Sequence, residues 1–196
     1  MAKLLLTLAH PNRQSLNGAI VDHIAEVAKA GGHETRINDL YAKDFDCCLG
    51  MKDFESWSKG ELLDDVQAEQ ADVDWADVLV FVYPIWWNER PAKLKGWCDR
   101  VLTKGWAWDF NEQGLVQKLT GKRALVSATY GSPTALYDHL GTDTEKLRQP
   151  MEKGTLNFCG ITDVTWVEEF NVLGQDRAAN EAYVKRVGEA VKGMLS

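Results

Sequence analysis

Short apolar segments alternate with amphipathic segments from one end of the chain to the other. Lys3–Ala9 (KLLLTLA) is apolar almost throughout, which is typical of a parallel strand that is buried on both faces. Four more apolar, β-branched or alternating segments are predicted as strands, at His33–Asn38, Val78–Tyr83, Arg123–Thr129 and Asp163–Val167. Because strands that alternate with helices pair through right-handed crossovers, one parallel five-stranded sheet is predicted.

The segments between the strands have helical periodicity. The first helix is predicted to begin after Ser15, a good N-cap, and to end at Gly31 and Gly32. Further helices are predicted at about Gly60–Ala71, Pro91–Leu102, Thr144–Phe158 and Arg177–Leu195. Tyr41–Lys59 is rich in aromatic and turn residues and has no assigned structure. We expect it to pack near the carboxyl edge of the sheet or against a neighbouring subunit.

Two doubly wound folds are compatible with this alternation of strands and helices. A dinucleotide-binding Rossmann domain needs G-x-G-x-x-G after its first strand, and HPNRQSLN at His10–Asn17 contains no glycine. A flavodoxin-like α/β three-layer sandwich is therefore predicted, with strand order 2-1-3-4-5 and helices on both faces. The sequence has no linker, repeat or low-complexity tract, so we expect residues 1–196 to form a single domain.

Charge and composition narrow the classes of partner. The formal net charge is −7 and no Lys/Arg cluster is present, which argues against a nucleic-acid partner. No apolar run has the length of a signal peptide or a membrane span, so we expect a soluble, cytoplasmic protein that is not embedded in a membrane. Cys47, Cys48, Cys98 and Cys159 form no C-x-x-C pair and have no histidine at ligand spacing. They are interpreted as reduced, mostly buried thiols, and no metal site is predicted.

Three loops are expected at the carboxyl edge of the sheet, where open parallel sheets bind ligands. In the first, His10–Asn17, Ser15 and Asn17 lie at a helix N-terminus, whose free N–H groups attract an anion such as a phosphate. Taken alone, Ser15 is equally well explained as a cap and His10 as the end of a strand. The third loop, Thr129–Pro133, offers hydroxyls and close backbone approach, although a G-S-P turn is common.

The second loop carries part of a tryptophan-rich block, Tyr83–Trp108, which holds five of the eight tryptophans. Trp97 and Cys98 lie on the buried stripe of the helix that follows Pro91, so they are predicted to be core residues. Trp86 and Trp87 precede that helix and are predicted to line a site for a flat ligand. Trp106, Trp108 and Phe110 alternate, as on a strand face or a subunit contact.

Motifs of other enzyme classes with similar topology are missing. The sequence has no G-x-S-x-G elbow of an α/β-hydrolase and no P-loop. A receiver domain would place paired carboxylates after the first strand, where this chain has His10 and Pro11.

Four blocks of sequence resemble the flavodoxin-like NAD(P)H:quinone oxidoreductases, the family of DT-diaphorase and its bacterial relatives. They are HPNRQSLN at 10–17, YPIWWNERPAKLKGWCDRVLTKGWAW at 83–108, SATYGSPTALY at 127–137 and GTLNFCGI at 154–161. The resemblance spans nearly the whole chain. It implies a flavin that takes hydride from NAD(P)H and passes two electrons to a quinone, nitro or azo acceptor in the same pocket.

The resemblance also implies roles for individual residues. Flavin-binding residues are expected to be His10, Ser15, Leu16 and Asn17 near the phosphate, Pro84, Ile85, Trp86 and Trp87 along the isoalloxazine, and Thr129, Tyr130 and Gly131 on its other side. Tyr137 aligns with the family's active-site tyrosine. Substrate is expected to contact Trp87, Asn88, Ser132 and Tyr137. In a homodimer with sites at the interface, Trp108 and Phe110 would roof the pocket of the partner subunit.

Two departures from the animal enzymes bear on mechanism and cofactor. Those enzymes carry a TTGG loop and a histidine six residues after the tyrosine, whereas this chain has Thr129-Tyr130-Gly131-Ser132 and Asp143. A proton relay through that histidine is therefore not expected, and His139 is out of register. The chain is shorter than the FAD-binding animal enzymes, which favours FMN over FAD.

Other functions are compatible with the same fold. Relatives act as flavin-binding regulatory subunits of a glutathione-gated potassium-efflux antiporter, which is the alternative hypothesis. A third hypothesis is an electron carrier of flavodoxin type. The sequence distinguishes neither NADH from NADPH nor one acceptor from another.

Overall fold

The computed structural model describes all 196 residues, and its centre is a parallel sheet of five strands in the order β2-β1-β3-β6-β7. The elements are β1 (Lys3–Leu8), α1 (Leu16–Ala30), β2 (Glu34–Asp39), α2 (Met51–Ser58), α3 (Asp64–Trp75), β3 (Val78–Ile85), α4 (Ala92–Val101), β4 (Trp108–Asn111), β5 (Gly114–Gln117), β6 (Arg123–Tyr130), α5 (Thr134–His139), α6 (Thr144–Met151), a π-helix (Glu152–Asn157), β7 (Asp163–Glu169) and α7 (Arg177–Leu195).

The parallel sheet confirms the predicted fold class and strand order. Strand β3 lies between β1 and β6, and Val78 is opposite both Leu4 and Arg123. With the antiparallel hairpin β4–β5 left aside as a separate two-stranded sheet, the five parallel strands follow the order 2-1-3-4-5. The carboxyl ends of these strands therefore meet at one edge.

Alternate side chains of the central strands fill two separate cores. Leu79, Phe81 and Tyr83 of β3 face the core under α4 and the π-helix, whereas Val80 and Val82 face the core under α1 and α7. Every residue of β3 is buried, which explains why its sequence is apolar without alternation.

Helix α1 begins and ends where its sequence predicts. The side-chain oxygen of Ser15 accepts a hydrogen bond from the backbone N–H of Gly18, so Ser15 is the N-cap. Gly31 is the C-cap, and Gly32 follows with a left-handed φ of 76°. Ile20 and Ile24 are fully buried against the sheet.

The prediction of a helix over Gly60–Ala71 was wrong at its start, and the preceding helix was missed. Gly60 has a φ of 73° and follows α2, so it belongs to the end of that helix. A buried ion pair explains why a short polar segment forms a helix here. Arg100 and Asp53 are both fully buried, and Arg100 Nε donates to Asp53 Oδ1 over 2.8 Å. That contact joins α2 to α4, and no local sequence pattern encodes it.

The helix predicted over Thr144–Phe158 changes its winding within its length. It is α-helical as far as Met151 and continues as a π-helix over Glu152–Asn157. Pro150 lies inside α6 and has no N–H to donate to the preceding turn, which favours such a change. The wider turn provides Thr155 and Leu156 to the core.

Trp97 is a core residue, as its helical spacing predicts. It is 1% exposed, and its ring meets Phe81 edge-on with centroids 5.8 Å apart. Its indole N–H donates to the buried carboxylate of Glu69 over 2.7 Å. Glu69 also accepts from Asn38 and lies beside Lys43, so one carboxylate joins α3, α4 and β2.

The four cysteines are free, and their burial differs. Cys98 and Cys159 are buried, Cys47 is half-buried and Cys48 is exposed, so the expectation of mostly buried thiols holds for two of them. Burial raises the pKa of Cys98 to about 11 and the pKa of Cys159 to about 12.

None of the helices combines the length and the apolar character that a bilayer crossing requires.

Trp97→Ala is expected to lower the free energy of unfolding by about 3–5 kcal/mol, because it opens a core cavity and removes one of the donors to the buried Glu69 carboxylate. Trp87→Ala, at a fully exposed position, is expected to change it by about 0.5 kcal/mol or less. Urea denaturation measures both. Equal destabilisation would contradict this division of the tryptophans.

Alkylation of the folded protein with iodoacetamide at pH 8 is expected to modify Cys48 well before Cys98 or Cys159. The thiolate is the reactive form, and a pKa that burial has raised keeps it scarce at that pH. Timed peptide mass mapping makes the measurement, with unfolded protein as the control in which all four thiols react. Equal rates at Cys48 and Cys98 in the folded protein would refute the burial argument.

Candidate active site

A cavity of about 450 Å³ lies at the carboxyl edge of the sheet, within the size range of small-molecule sites. The loops after β1, β3, β6 and β7 form its walls. Its lining consists of His10, Ser15, Leu16, Asn17, Pro84, Ile85, Trp86, Trp87, Thr129, Gly131, Ser132, Tyr137, Val172 and Leu173. All three loops that the sequence singles out therefore meet in one place.

The loop after β1 presents the N-terminus of α1 to the cavity. Its turn is closed by the N–H of Ser15, which donates to the Asn12 carbonyl over 3.1 Å, and by the N–H of Asn12, which donates to His10 Nδ1 over 3.0 Å. The amides of Leu16 and Asn17 begin the helix and have no carbonyl within it to bond. Because the helix dipole adds positive potential there, an anion is favoured at this wall.

Basic side chains contribute little to the attraction of an anion at the N-terminus of α1. Arg13, the cation of the loop, forms ion pairs with Asp22 and Asp39. Its hydrogen bond to Asp22 raises the pKa of the guanidinium, so its charge is already compensated. Backbone amides are therefore the main attraction for an anion.

The loop after β3 is a tight two-residue turn with strained backbone. Trp86 and Glu89 exchange backbone hydrogen bonds of 2.9 and 3.0 Å, and the central residues Trp87 and Asn88 have φ of 53° and 62°. A left-handed conformation is unusual for a bulky aromatic residue, and such strain is concentrated at functional sites. The Trp87 side chain is fully exposed, whereas the Trp86 ring lies 6.0 Å from the ring of His10.

A buried hydrogen bond joins the first loop to the third. Asn17 and Thr129 are 3% and 2% exposed, and Asn17 Nδ2 lies 3.1 Å from Thr129 Oγ1. This bond fixes the start of α1 against the end of β6. The floor of the cavity is thus set by two polar side chains that are far apart in sequence.

The loop after β7 forms a fourth wall that the sequence reasoning missed. The N–H of Val172 donates to the Tyr130 carbonyl over 3.0 Å, and the N–H of Asn171 donates to the Ser132 carbonyl over 2.9 Å. These bonds hold Val172 and Leu173 at the cavity, close to Gly131. The available signal was positional, since this loop follows a predicted parallel strand and so reaches the same edge.

Comparison with known proteins agrees with this geometry. Residues 2–191 match the profile of a family described by its flavodoxin-like fold. The human ribosyldihydronicotinamide dehydrogenase [quinone] is 34% identical over 181 residues, which cover 81% of this chain and 77% of that protein. The NAD(P)H:quinone oxidoreductase from Methanothermobacter marburgensis superposes with a TM-score of 0.87 at 27% identity, and 98% of each chain is covered.

This chain belongs to the flavodoxin-like quinone oxidoreductase family. An FMN-dependent NADH-azoreductase from Bacillus anthracis, whose structure contains FMN, shares the fold with a TM-score of 0.76 at 22% identity over the full length of both chains.

In this family member, Tyr137 lies at the cavity and Tyr130 does not. Tyr137 is 7% exposed, and burial raises the pKa of its hydroxyl, which is therefore protonated at neutral pH. The Tyr130 side chain is fully buried and points into the core, where it stacks on Phe170. A ligand in the cavity can therefore contact Tyr130 only through its backbone.

Of the expected substrate residues, Asn88, Trp108 and Phe110 lie outside this cavity. Asn88 is at the exposed tip of the second loop, and Phe110 is exposed on β4. Trp108, edge-on to Phe110 at 5.7 Å, lines a larger cavity of about 730 Å³ with Leu49 and Trp57. That larger cavity shares no lining residue with the cavity at the carboxyl edge. Any contact of Trp108 or Phe110 with substrate in the cavity at the carboxyl edge would have to come from a second copy of the chain.

Asp143 and His139, the residues nearest to the position of the relay histidine in the animal enzymes, do not reach the cavity. Asp143 is the N-cap of α6 and accepts from the N–H of Glu145 over 2.8 Å. His139 is exposed at the end of α5. Neither side chain lines the cavity.

The hydrogen bond between Asn17 and Thr129 is expected to contribute a coupling free energy of about 1 kcal/mol. A double-mutant cycle with Asn17→Ala and Thr129→Val, read by urea denaturation, measures it. Asn17→Ala combined with Ser127→Ala is the control and is expected to be additive, because Ser127 bonds to Tyr183 instead. Additive effects for Asn17 and Thr129 would show that the two loops are held together by other contacts.

Proposed function

We propose that this protein is a flavin-dependent NAD(P)H:quinone oxidoreductase that transfers hydride from NAD(P)H through flavin to quinones. Nitro and azo compounds are proposed as further acceptors. The observation that carries this proposal is the cavity itself, which joins a helix N-terminus suited to a phosphate with a loop of exposed indole rings suited to a flat ring system.

The first loop fits a flavin phosphate. The unpaired amides of Leu16 and Asn17 would donate to phosphate oxygens, and the Ser15 cap keeps the helix start in place. We propose FMN as the cofactor. Its single phosphate suits one helix N-terminus, and the chain has a near relative in fold that binds FMN.

The second and third loops fit the isoalloxazine. Pro84, Ile85 and Trp86 would lie along the ring, and Thr129 and Gly131 would flank its other side. When bound, the flavin would accept hydride from NAD(P)H and pass two electrons to the quinone. The protein's own residues orient the reactants: the Trp87 indole offers a stacking face, and Tyr137 holds a protonated hydroxyl at the cavity.

A homodimer in the cytoplasm is part of the proposal. Phe110 is 57% exposed, and with Trp108 it forms an aromatic edge suited to cover the cavity of a second copy. Four free cysteines without a disulfide fit a reducing compartment.

Heat release of the bound flavin, its chromatographic identification, and stopped-flow reduction with NADH and NADPH test the function. Rapid bleaching of FMN without a radical absorbance, followed by turnover with quinones, is expected. A protein that cannot be loaded with FMN or FAD would refute the proposal. A stable radical with no direct NAD(P)H oxidation would indicate an electron carrier. Weak quinone turnover, with co-purification of an antiporter's cytosolic domain, would indicate a regulatory subunit.

Trp87→Ala is expected to raise the Kd for FMN or the KM for the quinone about tenfold, because loss of a stacking face costs about 1.4 kcal/mol. Trp57→Ala, which removes an indole from α2, is the control and is expected to change neither constant. Fluorescence titration and steady-state kinetics give the two values. If Trp87→Ala leaves both unchanged, this ring has no part in the site.

A further inference from the structure

A cluster of three aromatic rings lies behind the cavity wall that carries Tyr137. The rings of Tyr130 and Phe170 stack with centroids 4.1 Å apart and planes inclined by 13°. Tyr137 meets both of them edge-on, at 5.6 Å from Tyr130 and 5.8 Å from Phe170. The stacked pair thus forms a platform for the Tyr137 ring.

Helix α5 depends on this platform for its position. It has six residues, and Tyr137 is its buried residue. So short a helix is not stable by itself, so tertiary contacts must hold it. The orientation of Tyr137 at the cavity is therefore set largely by what lies beneath its ring.

An ion pair fixes the platform in turn. The Tyr130 hydroxyl donates to Glu168 Oε1 over 2.8 Å, and Arg148 Nε donates to Glu168 Oε2 over 2.9 Å. The Glu168 side chain is 8% exposed, so its charge needs both donors. This chain of contacts joins β6, β7 and α6 at the base of Tyr137.

We propose that Tyr130 is a positioning residue for Tyr137: its ring and its hydroxyl, anchored on Glu168 and Arg148, hold the Tyr137 hydroxyl at the cavity. This inference rests on the proposed oxidoreductase function. Tyr130 makes no side-chain contact with a ligand in the cavity and acts through Tyr137. This role explains why a tyrosine occupies position 130, next to the ligand-facing loop, although its side chain is buried and does not line the cavity.

The test uses ¹⁹F NMR of protein labelled with 3-fluorotyrosine, in which each of the five tyrosines carries one fluorine. Tyr137→Phe identifies the Tyr137 signal. In Tyr130→Leu, this signal is expected to shift and broaden because the platform is lost. In Tyr130→Phe, which keeps the ring, a smaller shift is expected. The same variants, loaded with FMN, are expected to lose about tenfold and less than threefold, respectively, in kcat/KM for the quinone.

Tyr183→Leu is the matched control. Tyr183 is as fully buried as Tyr130, but its hydroxyl bonds to Ser127 and to the Val167 carbonyl and its ring lies in the other core. It is expected to destabilise the protein without moving the Tyr137 signal or kcat/KM.

The outcomes separate the positioning role from the proposed function. An unchanged Tyr137 signal in Tyr130→Leu, or an equal change in Tyr183→Leu, would overturn the positioning role. A loss of kcat/KM in Tyr130→Leu or Tyr130→Phe without a shift of the Tyr137 signal would overturn it as well, because the loss would then not act through Tyr137. If the Tyr137 signal shifts in Tyr130→Leu while the wild-type protein neither binds flavin nor oxidises NAD(P)H, the positioning role would be supported and the proposed function refuted.

Discussion

The parallel pairing of β3 with β1 on one side and β6 on the other is the constraint on which the rest of the structure depends. All eight residues of β3 are buried, so the strand needs helices over both faces, and each crossover returns the chain to the same end of the sheet. The loops after β1, β3, β6 and β7 consequently open at one edge. The cavity results from this topology, and the buried bond between Asn17 and Thr129 fixes its floor.

Apolar patterning predicted most of the fold, because each central strand and each main helix carries its own local signal. The start of α1 at Ser15 and the buried position of Trp97 follow from such signals, whereas the strand order was predicted from the absence of a dinucleotide fingerprint after β1. What the sequence could not show depends on contacts between distant polar groups. Helix α2, for example, is held through Arg100 and Asp53, which are 47 positions apart. The change to a π-helix after Met151 is a local feature, but it has no periodic signature, and Pro150 alone marks its place in the sequence. For the site, the first three loops were foreseen, whereas the wall at Val172 and Leu173 was not.

The tryptophan-rich block shows how one sequence segment serves both stability and binding. Trp97 is enclosed in the core and donates to Glu69, whereas Trp87, ten positions earlier, is fully exposed on a left-handed backbone. The strain at the Trp86–Glu89 turn is held by its paired backbone hydrogen bonds and by the rigid strand before it. The energetic cost of exposing an indole is offset if a flat ligand or a second subunit covers it. Tyr137 is also held by its surroundings: its ring packs on Tyr130 and Phe170, and the Tyr130 hydroxyl donates to Glu168, which pairs with Arg148.

A crystal structure of the protein bound to FMN tests the proposed flavin site most directly. The phosphate is expected on the amides of Leu16 and Asn17, and the isoalloxazine between the Pro84–Trp87 loop and the Thr129–Gly131 loop. An FMN molecule in the larger cavity beside Trp57 and Trp108, or a phosphate bound away from the N-terminus of α1, would contradict the proposed site.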